Sequence, residues 1–471
     1  MESSPLNLLP QDTLHLIFSN LPLRQIIISK SVCKFLHTTL SSASFQRLFA
    51  ATQPPLHLLA LRSSHRHSTT SSSSPPSFYA FDPKIKKWLN FTLSFLPFSS
   101  IQPITASLGL LYLWADFGTN PSFNFDFVKN PNRNLGFSTN PNQNLDFAKN
   151  PRQNLDFSTN PSQNIDFAKN KIQNLDFSTR QSRNFDIATG PSCNFDVSTN
   201  KSLNFDVVAK PSLNVCKNKV LVVCNPLTKE YRVLPQLGSA WSRHGSVLVG
   251  GGEDTGLCEV LLVTELALLY YSGGKSSGSD SWQKFSSNLP SKPRSPIRIG
   301  ELVFSLCDVG SPWRSQWKLF MCNTNSLRSV NQWVRVERHE WGDIFDILKR
   351  PRLIPGPKDK LFMIGGLKSS YALQSACTTI LILRLDLDSM EWDEAGRMPV
   401  EMYRFFQESS KFKVFGGGNL VCFSAKRVGR LALWDCEEGN GGNWKWIEGV
   451  PGNGDGLYRG FVFDAMLNAV L

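Results

Sequence analysis

Residues 383–399 read LRLDLDSMEWDEAGRMP: a short apolar run, an Asp- and Ser-bearing turn, a tryptophan, and a Met-Pro stop. Such a stretch is a β-hairpin whose second strand ends at a proline, because proline cannot donate to a continuing ladder. The same grammar recurs along the chain. It stands at 78–88 (FYAFDPKIKKW), 221–235 (LVVCNPLTKEYRVLP), 269–290 (LYYSGGKSSGSDSWQKFSSNLP) and 431–451 (LALWDCEEGNGGNWKWIEGVP). Glycine runs precede several of the aromatics. Gly366 stands 26 residues before Trp392, Gly418 stands 26 before Trp444, and Gly252 stands 30 before Trp282. A glycine at a strand end permits close backbone approach near a crowded centre.

Repetition at about 50 residues is the period of a kelch-type propeller. The body is similar to the kelch part of plant F-box/kelch proteins, and that resemblance implies a β-propeller of about six blades. The blade anchors expected are Trp88, Tyr231, Trp282, Trp317 or Trp333, Trp392 and Trp444. Glycine pairs are missing from the early blades, so the repeat is degenerate there.

The first fifty residues obey a different period. Leu14, Ile17, Phe18 and Leu21 recur at helical spacing, and Pro22 interrupts them. A second apolar series runs from Leu23 to Leu36, and a third begins with Phe45 after the cap candidates Ser41 and Ser42. Three short helices bury too little surface to stand securely alone, so a partner covering the remaining apolar face is expected. Leu9-Pro10, Ile17, Leu21-Pro22-Leu23 and Ser31-Val32-Cys33-Lys34-Phe35 together resemble the F-box pattern over residues 6–48, with Phe35 where a tryptophan is common. The resemblance implies that Leu9, Pro10, Leu14, Leu21, Pro22 and Leu23 face a Skp-type adaptor, which in turn binds a cullin scaffold. The chain is then expected to be a substrate-recognition subunit of a ubiquitin ligase. A non-degradative interaction scaffold is the alternative, and an oxidase with a metal on the propeller axis is a more distant one.

The expected organisation is an F-box at 1–50, the first part of the propeller at 51–115, a tandem insertion at 116–215 and the rest of the propeller at 216–471. A Ser-rich loop occupies 63–77. In the insertion asparagine recurs every ten residues from Asn124 to Asn214, with NLDFSTNPSQ at 154–163 as a representative unit. Two apolar residues per decad are few to offset ordering entropy, so disorder is expected; a small solenoid and a binding array are the alternatives. Removing ten decads from the 122 residues between Gly109 and Tyr231 leaves about one hairpin's length, which places the array inside a blade.

The chain has 471 residues and a net charge of +12, with no block of five like charges. Nucleic acid is therefore not an expected partner. Ten cysteines show no metal-ligand spacing, and neither a secretory leader nor a membrane-length apolar run is present. Cytosol or nucleus is the expected location. No cofactor or catalytic motif emerges: the GGG runs at 250 and 416 lack the Lys-Ser/Thr of a phosphate loop, and His65-x-His67 sits in a Ser-rich stretch. Trp313, Arg314, Trp341, Arg404 and Arg459 are the candidate target contacts, as aromatic and arginine residues expected in loops on a rigid ring.

Overall fold

A computed structural model of the chain describes residues 9–62, 75–116, 219–237, 245–250, 258–273, 281–328, 332–369, 377–407, 412–437, 441–452 and 456–471. The decad array and most of the Ser-rich stretch lie outside the described residues. The head contains four helices, α1 (Gln11–Ser19), α2 (Leu23–Lys30), α3 (Lys34–Ser41) and α4 (Ala43–Thr52), where the apolar spacing predicts three. The extra break falls at Cys33. Its backbone is extended and its Sγ accepts a hydrogen bond from the Leu36 N–H at 3.5 Å, so it caps α3 and splits the second apolar series in two. Ser42 caps α4 in the same way, accepting from the Phe45 N–H at 3.3 Å.

Among the described residues twenty-four strands follow in six four-stranded antiparallel sheets. The N-terminal blade holds β1 (Leu56–Leu61), β2 (Ser77–Asp82) and β3 (Lys87–Thr92). The second holds β4 (Ser100–Ser107), β5 (Leu110–Asp116), β6 (Lys219–Asn225) and β7 (Glu230–Val233). The third runs β8 (Ser246–Gly250), β9 (Cys258–Val263), β10 (Ala267–Gly273) and β11 (Gln283–Ser286). The fourth runs β12 (Arg294–Ile299), β13 (Leu302–Asp308), β14 (Trp317–Asn323) and β15 (Trp333–Val336). Strands β16 (Leu348–Pro355), β17 (Lys360–Lys368), β18 (Cys377–Asp386) and β19 (Trp392–Arg397) form the fifth, after which comes helix α5 (Val400–Gln407). The sixth is β20 (Phe412–Gly417), β21 (Leu420–Ala425), β22 (Leu431–Asp435) and β23 (Asn443–Ile447). The last strand, β24 (Gly460–Ala465), returns to the N-terminal blade and pairs with β1 from Leu56↔Ala465 to Leu61↔Gly460.

The innermost strands β24, β4, β8, β12, β16 and β20 neighbour one another in that cyclic order, which closes a six-bladed β-propeller. Middle strands such as β5, β6 and β10 are buried almost throughout because neighbouring blades cover both of their faces. All six expected anchors fall within one residue of the start of an outermost strand: Trp88, Tyr231, Trp282, Trp333, Trp392 and Trp444. Trp317 instead begins the third strand of its blade, which settles the open choice in favour of Trp333. Two of the anchors bind blade to blade through the indole N–H. The Trp282 indole N–H donates to Pro235 O at 2.8 Å, and that of Trp88 donates to Glu448 O at 3.1 Å, each acceptor lying just beyond the outermost strand of the preceding blade.

The glycine runs do not mark one repeated position. Gly365 and Gly366 lie within β17, where added Cβ atoms would come within 2.9 Å of Leu348 and 2.6 Å of Cys377. Gly416 and Gly418 instead turn the chain out of innermost β20, with φ of +144° and +58°, and Gly250 ends innermost β8. Equal spacing to the next tryptophan therefore joins different strands, and of the three runs Gly365-Gly366 alone lies in the second strand of a blade.

Strand direction sorts the connections onto two ends. The first-to-second and third-to-fourth strand turns, the approach from α4 into β1, and residues 466–471 share one end, here the turn end. The second-to-third connections and the links between blades share the other, the loop end. Gly460 opens β24 at the loop end, where a Cβ would meet Ala60 O at 2.2 Å and the Phe415 ring at 2.5 Å. Gly460→Val should therefore pry β24 from β1 and cost at least about 1–3 kcal/mol. Calorimetry should show a fall in Tm; an unchanged Tm would mean that the closure tolerates separation.

Candidate functional site

The head packs from α1 outward. Leu14 and Phe18 lie four residues apart on one face and join Leu23, Ile26, Leu36, Leu40, Phe45 and Phe49 in an apolar cluster continuous with Leu58, Phe78, Leu111 and Phe463 of the first two blades. His15 is buried against Phe45, with ring centroids 5.5 Å apart and Nε2 3.4 Å from Ser42 Oγ. Ser19 O accepts from Gln53 Nε2 at 3.1 Å, tying α1 to the end of α4. The two Leu-Pro pairs have a local cause: Pro10 and Pro22 are the N-caps of α1 and α2, with φ of −54° and −58°. Proline there loses no helical hydrogen bond, and its carbonyl still accepts from the first turn, from Leu14 N and Ile26 N respectively.

Of the six residues expected to face an adaptor, Leu9, Pro10 and Pro22 are exposed and Leu21 is half-buried. Leu14 and Leu23 are only 1% and 7% exposed. They belong to the core of the head and support its surface from beneath. The exposed apolar residues are others. Among the described residues sixteen large hydrophobic side chains are exposed, and seven of them lie between Leu9 and Phe35: Leu9, Leu16, Ile17, Ile27, Ile28, Val32 and Phe35. That concentration within so short a stretch is a mark of an interaction surface. The sequence carries a signal for it, because α1 holds Leu14, Leu16, Ile17 and Phe18, more apolar residues than one buried stripe accommodates.

Of the target candidates, Trp313, Arg314, Arg404 and Arg459 map to connections at the loop end, whereas Trp341, in the link before β16, packs on the β18–β19 turn. Trp313 is 86% exposed in the β13–β14 loop. Arg314 beside it reaches Asp346 Oδ2 at 4.0 Å. Arg404 is exposed on α5, and Arg459 just before β24. Trp341 is buried: its indole N–H donates to Met390 O at 2.9 Å, and its ring stands edge-on to Trp392 at 5.9 Å. It packs one blade on the next and presents nothing to a target.

No cluster of three or more metal-ligating side chains occurs among the described residues, and no described helix is long and apolar enough to cross a membrane. Burial pushes the thiols of Cys307 and Cys322 up to about 11 and raises those of Cys224 and Cys422 as well, so these cysteines hold their protons at neutral pH. A thiol reagent at pH 8 should label exposed Cys33 on the folded chain and Cys224 and Cys422 only after unfolding, as mapped by mass spectrometry. Rapid labelling of Cys422 in the native protein would contradict this packing.

Residues 6–48 match the F-box domain family. SKP1-interacting partner 15 of Arabidopsis thaliana is 48% identical over 476 residues, covering 99% of this chain and 99% of that protein. Among solved structures, that of YjhT aligns with 14% identity and a TM-score of 0.31 over 45% of this chain and 67% of its own. Oligogalacturonate lyase in complex with manganese aligns with 13% identity and a TM-score of 0.30 over 49% and 59%. Likeness at that level informs neither site nor activity, and the propeller assignment rests on strand order alone.

The division between core and surface in the head is directly testable. Leu14→Ala and Leu23→Ala should each cost roughly 2–5 kcal/mol, whereas Leu16→Ala and Ile17→Ala should change stability little. Amide exchange of α1 reads the difference, and equal losses of protection in all four variants would overturn the assignment. A helical head of F-box sequence, a closed ring of six blades and near full-length similarity to a SKP1-interacting partner lead to one conclusion: this chain belongs to the F-box protein family, with a six-bladed β-propeller as its body.

Proposed function

We propose that this chain is a substrate-receptor subunit of a cullin-based ubiquitin ligase. In this role the head binds a Skp-type adaptor and the loop end of the propeller holds a target protein for ubiquitination. The observation that carries the reading is the apolar surface of the head, seven exposed hydrophobic residues within Leu9–Phe35. Leaving that surface in water is unfavourable, at about 25 cal/mol for each Å² that a partner would cover. The name of the Arabidopsis relative, which describes a partner of SKP1, supports an adaptor as that cover. Catalysis belongs to the partners, and the chain contributes proximity, converting an encounter between ligase and target into a local event.

Topology supports the division of labour. The head joins β1 at the turn end, while loops of variable length, helix α5 and exposed Trp313 gather at the other. A target held there would not compete with the adaptor for surface.

Ile17→Asp combined with Ile28→Asp places two charges on the exposed face without touching the head core. Co-purification of the full chain with a Skp-type adaptor should fall at least tenfold, with Tm unchanged. Undiminished capture would move the adaptor site elsewhere. In cells, removing the chain should raise the level of any protein captured by its propeller; an unaltered level and half-life would favour a scaffold that does not direct degradation.

A further inference from the structure

Helix α5 and the β21–β22 turn wall a groove of about 410 Å³, lined by Phe405, Lys426, Arg427, Val428, Arg430 and Glu448. It lies at the loop end on the outer half of the sixth blade, since Glu448 follows outermost β23. The helix is amphipathic: Tyr403 and Phe406 are buried, while Phe405 keeps half of its surface exposed. Phe406 stacks on Trp446 at 6.3 Å, and Phe405 meets the same indole edge-on at 5.7 Å. The Arg430 guanidinium lies over both rings, 3.9 Å from the centre of Trp446 and 4.7 Å from that of Phe405. Cation and rings attract through the ring quadrupole. Arg430 also donates to Glu448 Oε1 at 3.0 Å, which fixes it as the floor of the groove.

The turn opposite α5 is held in one shape. Arg427 and Gly429 take φ of +69° and +73°. A non-glycine residue at positive φ is uncommon and persists only where its surroundings impose it. Here Ser424, buried just before the turn, accepts from Tyr458 N at 2.7 Å and donates to Gly456 O at 2.8 Å. The result is a fixed turn with Lys426 and Arg427 exposed on it. Among the described residues no carboxylate pairs with either, because Glu448 is engaged by Arg430. The lining thus sets three cations against one carboxylate, beside the apolar surfaces of Phe405 and Val428.

We propose that this groove binds an unmodified segment of the target protein in which two adjacent carboxylate side chains precede a large apolar one. The two unmatched cations supply the charge complement of the carboxylates, and Phe405 with Val428 covers the apolar side chain. Charge complementarity of this kind sets which partner and which register are accepted, while an aromatic anchor contributes affinity. The inference rests on the receptor function proposed above and specifies what the receptor recognises and where.

The test uses the full chain co-expressed with a Skp-type adaptor. It is passed over resins bearing degenerate nonapeptides with a fixed centre: Asp-Asp-Phe, Asn-Asn-Phe, Asp-Asp-Ser, Lys-Lys-Phe or a single phosphoserine. Retention on Asp-Asp-Phe should exceed that on each of the others at least tenfold. K426E/R427E should lose that retention and gain retention on Lys-Lys-Phe, with Tm unaltered because both side chains are exposed. F405S should retain Asp-Asp-Phe no better than Asp-Asp-Ser. K84E/K86E, the same charge change at the turn end, should behave as the parent. Equal retention on Asn-Asn-Phe, stronger retention on phosphoserine, or no retention on Asp-Asp-Phe would each overturn the proposal. So would self-association of the parent chain in light scattering that K426E/R427E abolishes, since the groove would then hold a second copy. Adaptor capture in the same preparation shows whether the receptor function itself has failed.

Discussion

The pairing of β24 with β1 is the constraint on which the rest of the molecule depends. Six residue pairs join the C-terminal strand to the first strand after the head, and through them the last blade meets the first. Without that closure the ring has two free edges, each a row of unpaired backbone groups. With it, each innermost strand has neighbours on both sides and each middle strand is covered on both faces. The closure also fixes direction. Because β1 is the second strand of its blade, its N-terminal end lies at the turn end, and the helical head attaches there. The loop end is left to connections of every length.

Much of this architecture was legible from residue types because the outer half of each blade is built from local sequence. A third strand, a tight turn, an aromatic and a proline stop lie within about twenty residues, and the aromatic must pack on the preceding blade. Trp88, Trp282 and Trp392 could be placed for that reason. The inner strands left no comparable trace. Of them β4, β12 and β16 are irregular, and one comes from the far end of the chain. The glycine runs misled for a physical reason: a close approach within β17 and a reversal out of β20 both call for glycine.

In the head, apolar spacing revealed the helices but not which apolar residues are spare. Leu14 and Leu23 fit the motif and lie in the core, whereas Leu16 and Ile28 carry the exposed surface. Only packing against α4 and the first blades separates them. The cap at Cys33 was hidden for a similar reason, since cysteine is an uncommon cap and the apolar series runs through it. Arg459 stood out in sequence as a candidate contact, but its neighbour Arg62 did not. Arg62 and Arg459 are almost four hundred positions apart and meet only because β24 returns to β1.

The central claim is that adaptor binding and target binding occupy opposite ends of one rigid ring. Amide hydrogen exchange on the full chain, alone and with a Skp-type adaptor and cullin, tests it most directly. The account predicts added protection across residues 9–35 and none in the β13–β14 loop, α5 or the segment leading into β24. Protection confined to those loop-end segments, with residues 9–35 exchanging as in the free chain, would contradict it.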